Sequence, residues 1–550
     1  MRAQEYIRQS IKKALEKAGF DAHDEKLLNL EKPKQEGFGD IASPVAMNLA
    51  KIARQAPRKI AESIIEHFEI DPFYLDKIEI AGPGFLNFFL AANSLQQSVL
   101  DIIAEADLYG SSDRGKGEKI QFEFVSANPT GPLNVVSARA AAVGDVLAAL
   151  ANAAGYKAQR EFYVNDAGRQ IKLLGASLSA RYMTELGKSE PVPEDGYHGE
   201  YLIDLAKEII AADGERYAAL DISERQKLFS QKALQYMLNK QKNSLEKYRL
   251  EFDNWFHEST IREEKAHLKI LDTFKKSNLS YEQDGAVWFK SSEFGDEKDR
   301  VLVTSEGEPT YFLIDIAYHE TKYARGFTQV HDLWGPDHHG YIARMSAAMQ
   351  ALGHPADSFH VWIIQQVNLL RAGEIIKMSK RAGKIIEMDE LLDEVGVDAA
   401  RYFFIDRRMS QPLDFDIELA KKKSDENPVY YVQYAHARIS NILRHARESG
   451  IEIPRSASTA FLKEKQEMAV IKKLIDFPEV ISKAAQFLEP HRLTTFLHEL
   501  AMIFHRFYHD HRVVTENRQL TLARLMLCKA TQQVLANGLK LLGITAPENM

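Results

Sequence analysis

Apolar residues recur at helical spacing from the start of the chain. Ile7, Ile11, Ala14, Leu15 and Ala18 share one face, and Gly19 follows as a stop. A second helix is predicted from Val45 to Ile52. LDKIEIAG and FLNFFL, separated by GPG, read as two strands around a turn. Residues 1–112 therefore read as a small α+β unit. Leu108 to Lys119, rich in Gly, Ser and charge, reads as a linker.

The pattern then changes. A strand, KIQFEFVSA, meets a turn cluster of Pro129, Gly131 and Pro132. A long apolar helix follows and stops at Gly155, and then come the strand AQREFYVND and another helix. Strands alternating with helices predict a parallel, doubly wound sheet. Residues of about 182–274 turn helical and polar, which predicts an insertion. Strand signals return at AVWF, RVLVT, YFLI, QVHDLWG and FHVWIIQQV. Beyond Asn427 every segment reads as amphipathic helix. The expected organisation is an α/β body at 113–426 between an N-terminal α+β domain at 1–112 and an all-α domain at 427–550.

Composition narrows the function. The chain has 550 residues, 45% hydrophobic and 27% charged, which excludes a disordered or fibrous protein. A net charge of −8 argues against indiscriminate polyanion binding. The charge is uneven: Tyr430 to Met550 holds 16 lysines and arginines against 11 acids. A basic helical domain on an acidic body suits an RNA-contacting module. The single cysteine, Cys528, excludes a disulfide framework and a multi-thiolate zinc site. No apolar run is uninterrupted for the ~18 residues a membrane span needs, and the N-terminus has no apolar signal core, so a cytoplasmic location is expected.

Three segments carry chemistry. Lys377-Met378-Ser379-Lys380, in GEIIKMSKRAGK, places two lysines around a small hydroxyl residue on a Gly-flanked loop. Such a loop can fold over a triphosphate and neutralise charge on departing pyrophosphate. EFVSANPTGPLNVVSAR, Glu123 to Arg139, runs from a strand's carboxyl end into a helix N-terminus, where free N–H groups and the helix dipole favour phosphate. In LWGPDHHG, Gly335 permits close ligand approach and Asp337 can accept from a ribose hydroxyl. Two weaker matches fall away. GSSDRGK has Gly117 where a P-loop needs Ser or Thr, and it precedes a strand. HETKY at His319 lacks the second histidine of a zinc-protease helix, so no metal site is expected.

In this order the segments resemble the class I aminoacyl-tRNA synthetases, and most closely arginyl-tRNA synthetases. SANPTGPL, REFYVNDAGRQI, FDNWFHES, YFLIDIAYH, WGPDHHGY, KMSKRAG and NPVYYVQYAHARI all look like that family's runs, and GFGDIASPVAMNLAK resembles its extra N-terminal domain. The resemblance implies a Rossmann-like catalytic domain with a connective insertion, an anticodon-binding helical domain and an N-terminal domain touching the tRNA outer corner. It implies ATP, L-arginine and tRNA(Arg) as substrates, with Mg²⁺ accompanying ATP, and members typically need bound tRNA before they activate arginine. A monomer is expected.

The resemblance also assigns residues. Lys377, Ser379, Lys380, Asn134 and Ser137 would be catalytic. ATP would meet Pro129, Thr130, Gly131, Asn134, Ser137, Gly335, Asp337, His338, Met378 and Lys380. Arginine needs carboxylates for its planar fork. Asp315 and Tyr311 match the family's guanidinium-side pair, with Glu258 as a second carboxylate. Glu123, Ser126, Asn128 and Asn165 are the candidates for the α-amino end. For tRNA, Tyr434, Arg506, Tyr508, Arg512 and Met550 are candidates in the helical domain, where aromatics stack bases and arginines meet phosphate. Phe38, Asn48, Asn87 and Phe89 are candidates in the N-terminal domain.

One departure stands out. Asn134-Val135-Val136-Ser137 replaces the His-x-Gly-His of most class I enzymes. An amide and a hydroxyl still donate, but they are neutral. This leaves a working enzyme, whose lysine loop carries the charge, against an impaired tRNA-binding relative. A third reading, a ligase acting on a free amine, does not need the helical domain.

Overall fold

The structure is a computed structural model and describes residues 2–20, 25–33, 35, 37–376 and 386–550. The lysine loop, Lys377, Met378, Ser379 and Lys380, lies outside the described residues.

The N-terminal domain holds α1 (Ala3–Lys17), β1 (Ile41–Ser43), α2 (Val45–Ala53), α3 (Pro57–His67), β2 (Leu75–Ala81), β3 (Phe85–Leu90) and α4 (Ala92–Glu105). Its sheet is antiparallel, in the order β1-β3-β2. The predicted helices and hairpin are present. The expected linker is different from expectation, because it packs against the helical domain. Tyr109 is 5% exposed, donates to the Leu474 carbonyl at 3.0 Å and stacks on Phe477. A Cβ on Gly110, whose φ is +104°, would lie 2.6 Å from Ile481 and Phe477.

The body is built on five parallel strands in the order β11-β10-β4-β5-β6: β4 (Lys119–Glu123), β5 (Lys157–Val164), β6 (Asn254–His257), β10 (Gln329–Trp334) and β11 (Phe359–Ile363). The chain builds outward from β4 through β5 to β6, then returns to lay β10 on the other side of β4. The β4/β10 seam is the switch point, where doubly wound sheets open a ligand crevice at their carboxyl ends. Between β4 and β5 runs α5 (Val135–Ala153). By length and composition α5 could cross a membrane, but 72% of its 18-residue apolar window is buried inside the protein. Gly144 is what brings it close: a Cβ there would sit 2.2 Å from the Phe124 ring.

After β5 come α6 (Arg169–Glu185), α7 (Glu200–Asp213) and α8 (Ile222–Lys247), which pack around Leu174, Tyr182, Leu202 and Phe229 as a separate core. The expected insertion at 182–274 therefore needs correction. It contains β6, an edge strand of the central sheet, whose four residues are too short to show a period. Next are α9 (Glu258–Glu263), α10 (Ala266–Lys276) and an antiparallel sheet of β7 (Ser280–Gln283), β8 (Ala286–Phe289) and β9 (Arg300–Val303).

YFLI was expected to be a strand but opens a helix, α11 (Tyr311–Ala324). Thr310 caps it by accepting from Leu313 N–H. Four apolar residues do not distinguish strand from helix, whereas the cap and the buried Phe312, Leu313, Ile316 and Ala317 do. Then come α12 (Ile342–Ala351), the small sheet of β12 (Val367–Arg371), β13 (Glu374–Ile375) and β14 (Leu413–Asp416), and the helices α13 (Met388–Val395), α14 (Val397–Ile405) and α15 (Ile417–Lys421). The C-terminal helices are α16 (Pro428–Glu448), α17 (Lys465–Ile475), α18 (Phe477–Phe487), α19 (His491–Asp510) and α20 (Arg518–Leu541), with Cys528 fully buried in α20.

Candidate active site

Immediately after β4 the backbone turns sharply. Val125 and Ser126 both have positive φ, +67° and +37°. A β-branched residue in that region is strained, at a cost on the order of 1–3 kcal/mol, and such strain concentrates at functional sites. The turn aims Ser126 Oγ at Glu123 Oε1, 2.9 Å away, while Oγ accepts from Tyr163 N–H at 3.1 Å. Glu123 is thereby committed. Its other oxygen accepts from Tyr318 at 2.8 Å and from Lys322 at 2.6 Å. Asn128 is exposed beyond the turn, with its side-chain oxygen 3.5 Å from the Asn165 amide. Gln241, fully buried on α8, holds the loop by donating to the Asn128 and Gly131 carbonyls. Pro129 is buried beside the half-buried Thr130, whose carbonyl accepts from Tyr201.

Three carboxylates converge here. Asp315 lies one helical turn after Tyr311 on α11 and accepts from Tyr341 at 2.8 Å. Burial raises Asp315 to about 6, and the Glu123 and Glu258 carboxylates push the same way, against the Tyr341 bond and His319. Glu258, the first residue of α9, is 2% exposed and is held by Arg262 at 2.6 Å. Tyr163 sits among all three. Burial, then Glu258, Asp315 and Glu123, lift it far above the ordinary tyrosine range. Tyr311 is 62% exposed at the rim, its hydroxyl beside Gly168. The sequence-derived arginine candidates are thus neighbours, with Glu123 and Glu258 already bonded to the protein's own cations, Lys322 and Arg262, and Asp315 bonded, among the described residues, only to the neutral Tyr341.

At the α5 N-terminus the picture shifts from expectation. The Asn134 side-chain oxygen accepts from the Val136 and Ser137 N–H groups, at 2.9 and 3.0 Å. Two of the N–H groups expected to face phosphate are therefore taken by the cap. The Ser137 hydroxyl also points at the Asn134 side-chain oxygen, at a long 3.4 Å, so it would have to turn from the cap to reach a phosphate, while the Asn134 amide nitrogen remains as a donor and Val136 is 39% exposed. Asn134 also pairs with Glu387, which leads into α13, so the chain beyond the lysine loop is anchored at this helix start. Across the seam, Gly335 follows β10, and a Cβ there would meet nothing within 4 Å. Asp337 and His338 are exposed in the next turn.

In the helical domain the Arg438 guanidinium lies 4.5 Å from the Tyr434 ring centre and 5.3 Å from that of Tyr508. Sequence reasoning missed Arg438, although four-residue spacing from Tyr434 is the signal that could have found it. Arg506 and Arg512 are exposed, and Met550 is 47% exposed at the chain end. In the N-terminal domain Phe38 and Asn48 are exposed, and Phe89 is half-buried under Lys77. Asn87 is a correction: it is 4% exposed in mid-sheet, between Ala42 and Glu79, and offers a base almost no surface. Tyr163, Tyr318, Lys322 and Tyr341 were also missed, because each reads as an ordinary core or helix residue until the strands are assembled.

Comparison with known proteins places this geometry. The description "tRNA synthetases class I (R), catalytic domain" matches residues 98–422, "Arginyl tRNA synthetase N terminal domain" matches 5–90, and "DALR anticodon binding domain" matches 432–550. The arginine–tRNA ligase of Desulforamulus reducens is 46% identical over 556 residues, covering 99% of each chain. That of Shouchella clausii is 47% identical over 551 residues, covering 100% of this chain and 99% of the relative. The Thermus thermophilus arginyl-tRNA synthetase structure shares the fold, with a TM-score of 0.78 at 22% identity and full coverage of both chains. With three matching domains and full-length relatives behind a pocket of converging acids, the chain belongs to the arginyl-tRNA synthetase family of the class I aminoacyl-tRNA synthetases.

Proposed function

We propose that this arginine–tRNA ligase works at the β4/β10 seam in two steps. The arginine carboxylate attacks the ATP α-phosphorus, and pyrophosphate leaves. A ribose hydroxyl at the 3′ end of tRNA(Arg) then attacks the carbonyl carbon of the adenylate, and AMP leaves. The observation that carries this reading is the polar turn after β4, where Ser126 joins Glu123 to the Tyr163 backbone, set against the carboxylates of Asp315 on α11 and Glu258, buried at the start of α9, beside the crevice that binds nucleotide in doubly wound sheets. A guanidinium needs planar, anionic acceptors, and this pocket supplies them.

Asp315 and Glu258 take the guanidinium, with Tyr311 at the rim. Ser126, Asn128 and Asn165 take the α-amino end, while Glu123 orients Ser126. ATP lies along Pro129 to Gly131, Asn134 and Ser137, with its ribose toward Gly335, Asp337 and His338. Magnesium accompanies the triphosphate. Lys377 and Lys380 neutralise the departing pyrophosphate, with Met378 and Ser379 completing the loop. Tyr434, Tyr508, Arg506, Arg512 and the Met550 terminus meet the anticodon arm, and Phe38, Asn48 and Phe89 meet the outer corner.

Arginine-dependent ATP–pyrophosphate exchange with and without tRNA(Arg) tests this. Exchange is expected only when tRNA is present, and silence with tRNA would favour the impaired-relative reading. The cap geometry separates two roles at the altered signature. Asn134→Ala removes a cap and should cost about 1 kcal/mol of stability as well as activation rate. Ser137→Ala should slow exchange with little change in melting temperature. If the Ser137 variant exchanged at the parent rate, its hydroxyl would have no part in activation.

A further inference from the structure

Lys322 is fully buried beneath the pocket and has no place in the chemistry above. Its Nζ lies 2.6 Å from Glu123 Oε2, on β4, and 2.9 Å from Asp332 Oδ1, on β10. It thus spans the seam at which the crevice opens. Burial alone would lower Lys322, but Asp332, Glu123 and Glu161 together raise it, so it stays charged.

The same face of α11 makes further bonds to the sheet. His319 Nε2 is 2.7 Å from Asp332 Oδ2, and its Nδ1 is 2.7 Å from the Asp315 carbonyl. The Tyr318 hydroxyl lies 2.8 Å from Glu123 and 2.7 Å from Glu161, its one proton serving either carboxylate, and Arg325 donates to Glu161 on β5. Tyr311, Asp315, Tyr318, Lys322 and Arg325 follow one another at spacings of three and four, a single helical stripe. One end of that stripe forms the guanidinium pocket. The other is bonded to β10, β4 and β5. Glu123, at the end of β4, in turn sets Ser126 at the amino end.

The helix is therefore a rod whose position along the sheet sets the pocket's length. A slip of one residue would move Asp315 by about 1.5 Å, the length of one carbon–carbon bond. Lys322 is the group on that rod that grips both strands of the seam at once. Without it, the Glu123 and Asp332 carboxylates would face each other across the seam and repel.

We propose that Lys322 is a positioning residue that fixes the distance between the amino end and the guanidinium end of the pocket, and so selects arginine over homologues one methylene longer or shorter. This rests on the pocket assignment above and adds the selection by length.

The test is tRNA-supported aminoacylation by the full chain with arginine, homoarginine and the homologue one methylene shorter. Two variants guard against simple misfolding. Lys322→Met removes the cation alone. Lys322→Met combined with Asp332→Asn removes the cation and one of its counter-charges, which keeps the buried charge closer to balance. A methylene mismatch in a fitted pocket is typically worth about 10–200-fold. The preference for arginine over either homologue should fall at least about tenfold in the double variant, with the KM for ATP unchanged. An unchanged preference, or equal loss for all three substrates with a raised KM for ATP, would overturn the proposal. Failure of the parent chain to charge arginine would instead strike at the pocket assignment, so the two failures are distinguishable.

Discussion

Replacing Asp315 with asparagine should lower kcat/KM for arginine by about 10²–10³-fold and leave the KM for ATP unchanged. Asparagine keeps the shape and can still accept from Tyr341, so the change isolates the charge. Breaking a buried ion pair by removing one partner costs about 3–5 kcal/mol, because the guanidinium would enter a water-poor pocket one counter-charge short. The same residue predicts a pH dependence. In the empty pocket Asp315 is raised to about 6, by burial first and then by Glu123 and Glu258. A cation binds its ionised form. Arginine affinity should therefore be full above that value and fall as pH drops through it, while ATP affinity does not follow. The Asp315→Asn variant should lose this acid limb. Arginine KM measured from about pH 5 to 8 on both proteins checks it, and an identical limb in the variant would assign the titration elsewhere.

The second large effect lies far from the chemistry. Arg401, on α14, is fully buried. It donates to the Leu542 carbonyl at 2.8 Å, to the Tyr248 carbonyl at 3.0 Å and to the Asp145 carboxylate. Those partners lie at the ends of α20 and α8 and within α5, so one guanidinium joins the helical domain, the insertion and the catalytic core. Arg401→Met should destabilise the chain by about 3–5 kcal/mol, since it strands two carbonyls and part of a buried carboxylate. Arg160 still meets Asp145 at 2.8 Å, which favours the lower end of that range. Arg401→Lys should recover little, because a single ammonium cannot replace three donors held in a plane. Urea unfolding of the three proteins measures this. A loss below about 1 kcal/mol would mean that the interface is held by its apolar contacts alone.

Much of this molecule was legible in one dimension. Helices with a clear apolar face, such as α1, and strands bounded by turns, such as β2 and β3, carry their signal locally. The polar run after β4 and the acid on α11 stood out in the sequence because the pocket chemistry proposed for them requires particular residue types. Short elements were not legible. In β6 four residues cannot show a period, and YFLI reads equally as strand or helix without the Thr310 cap. The apparent linker at Tyr109 reads as loop because its partners, Leu474 and Phe477, lie more than 360 residues away.

The amino-acid sequence by itself determined the class of fold and the family, and it singled out the residue types proposed for the arginine pocket, since periodicity, turn chemistry and charge requirement are properties of short stretches. The tertiary structure alone decided which acids are already paired with the protein's own cations and which are not. Glu123 and Asp315 look alike in the chain. Only the packing of α11 across β4 and β10 gives Glu123 a buried lysine and leaves Asp315, bonded to Tyr341, raised and ready for a cation.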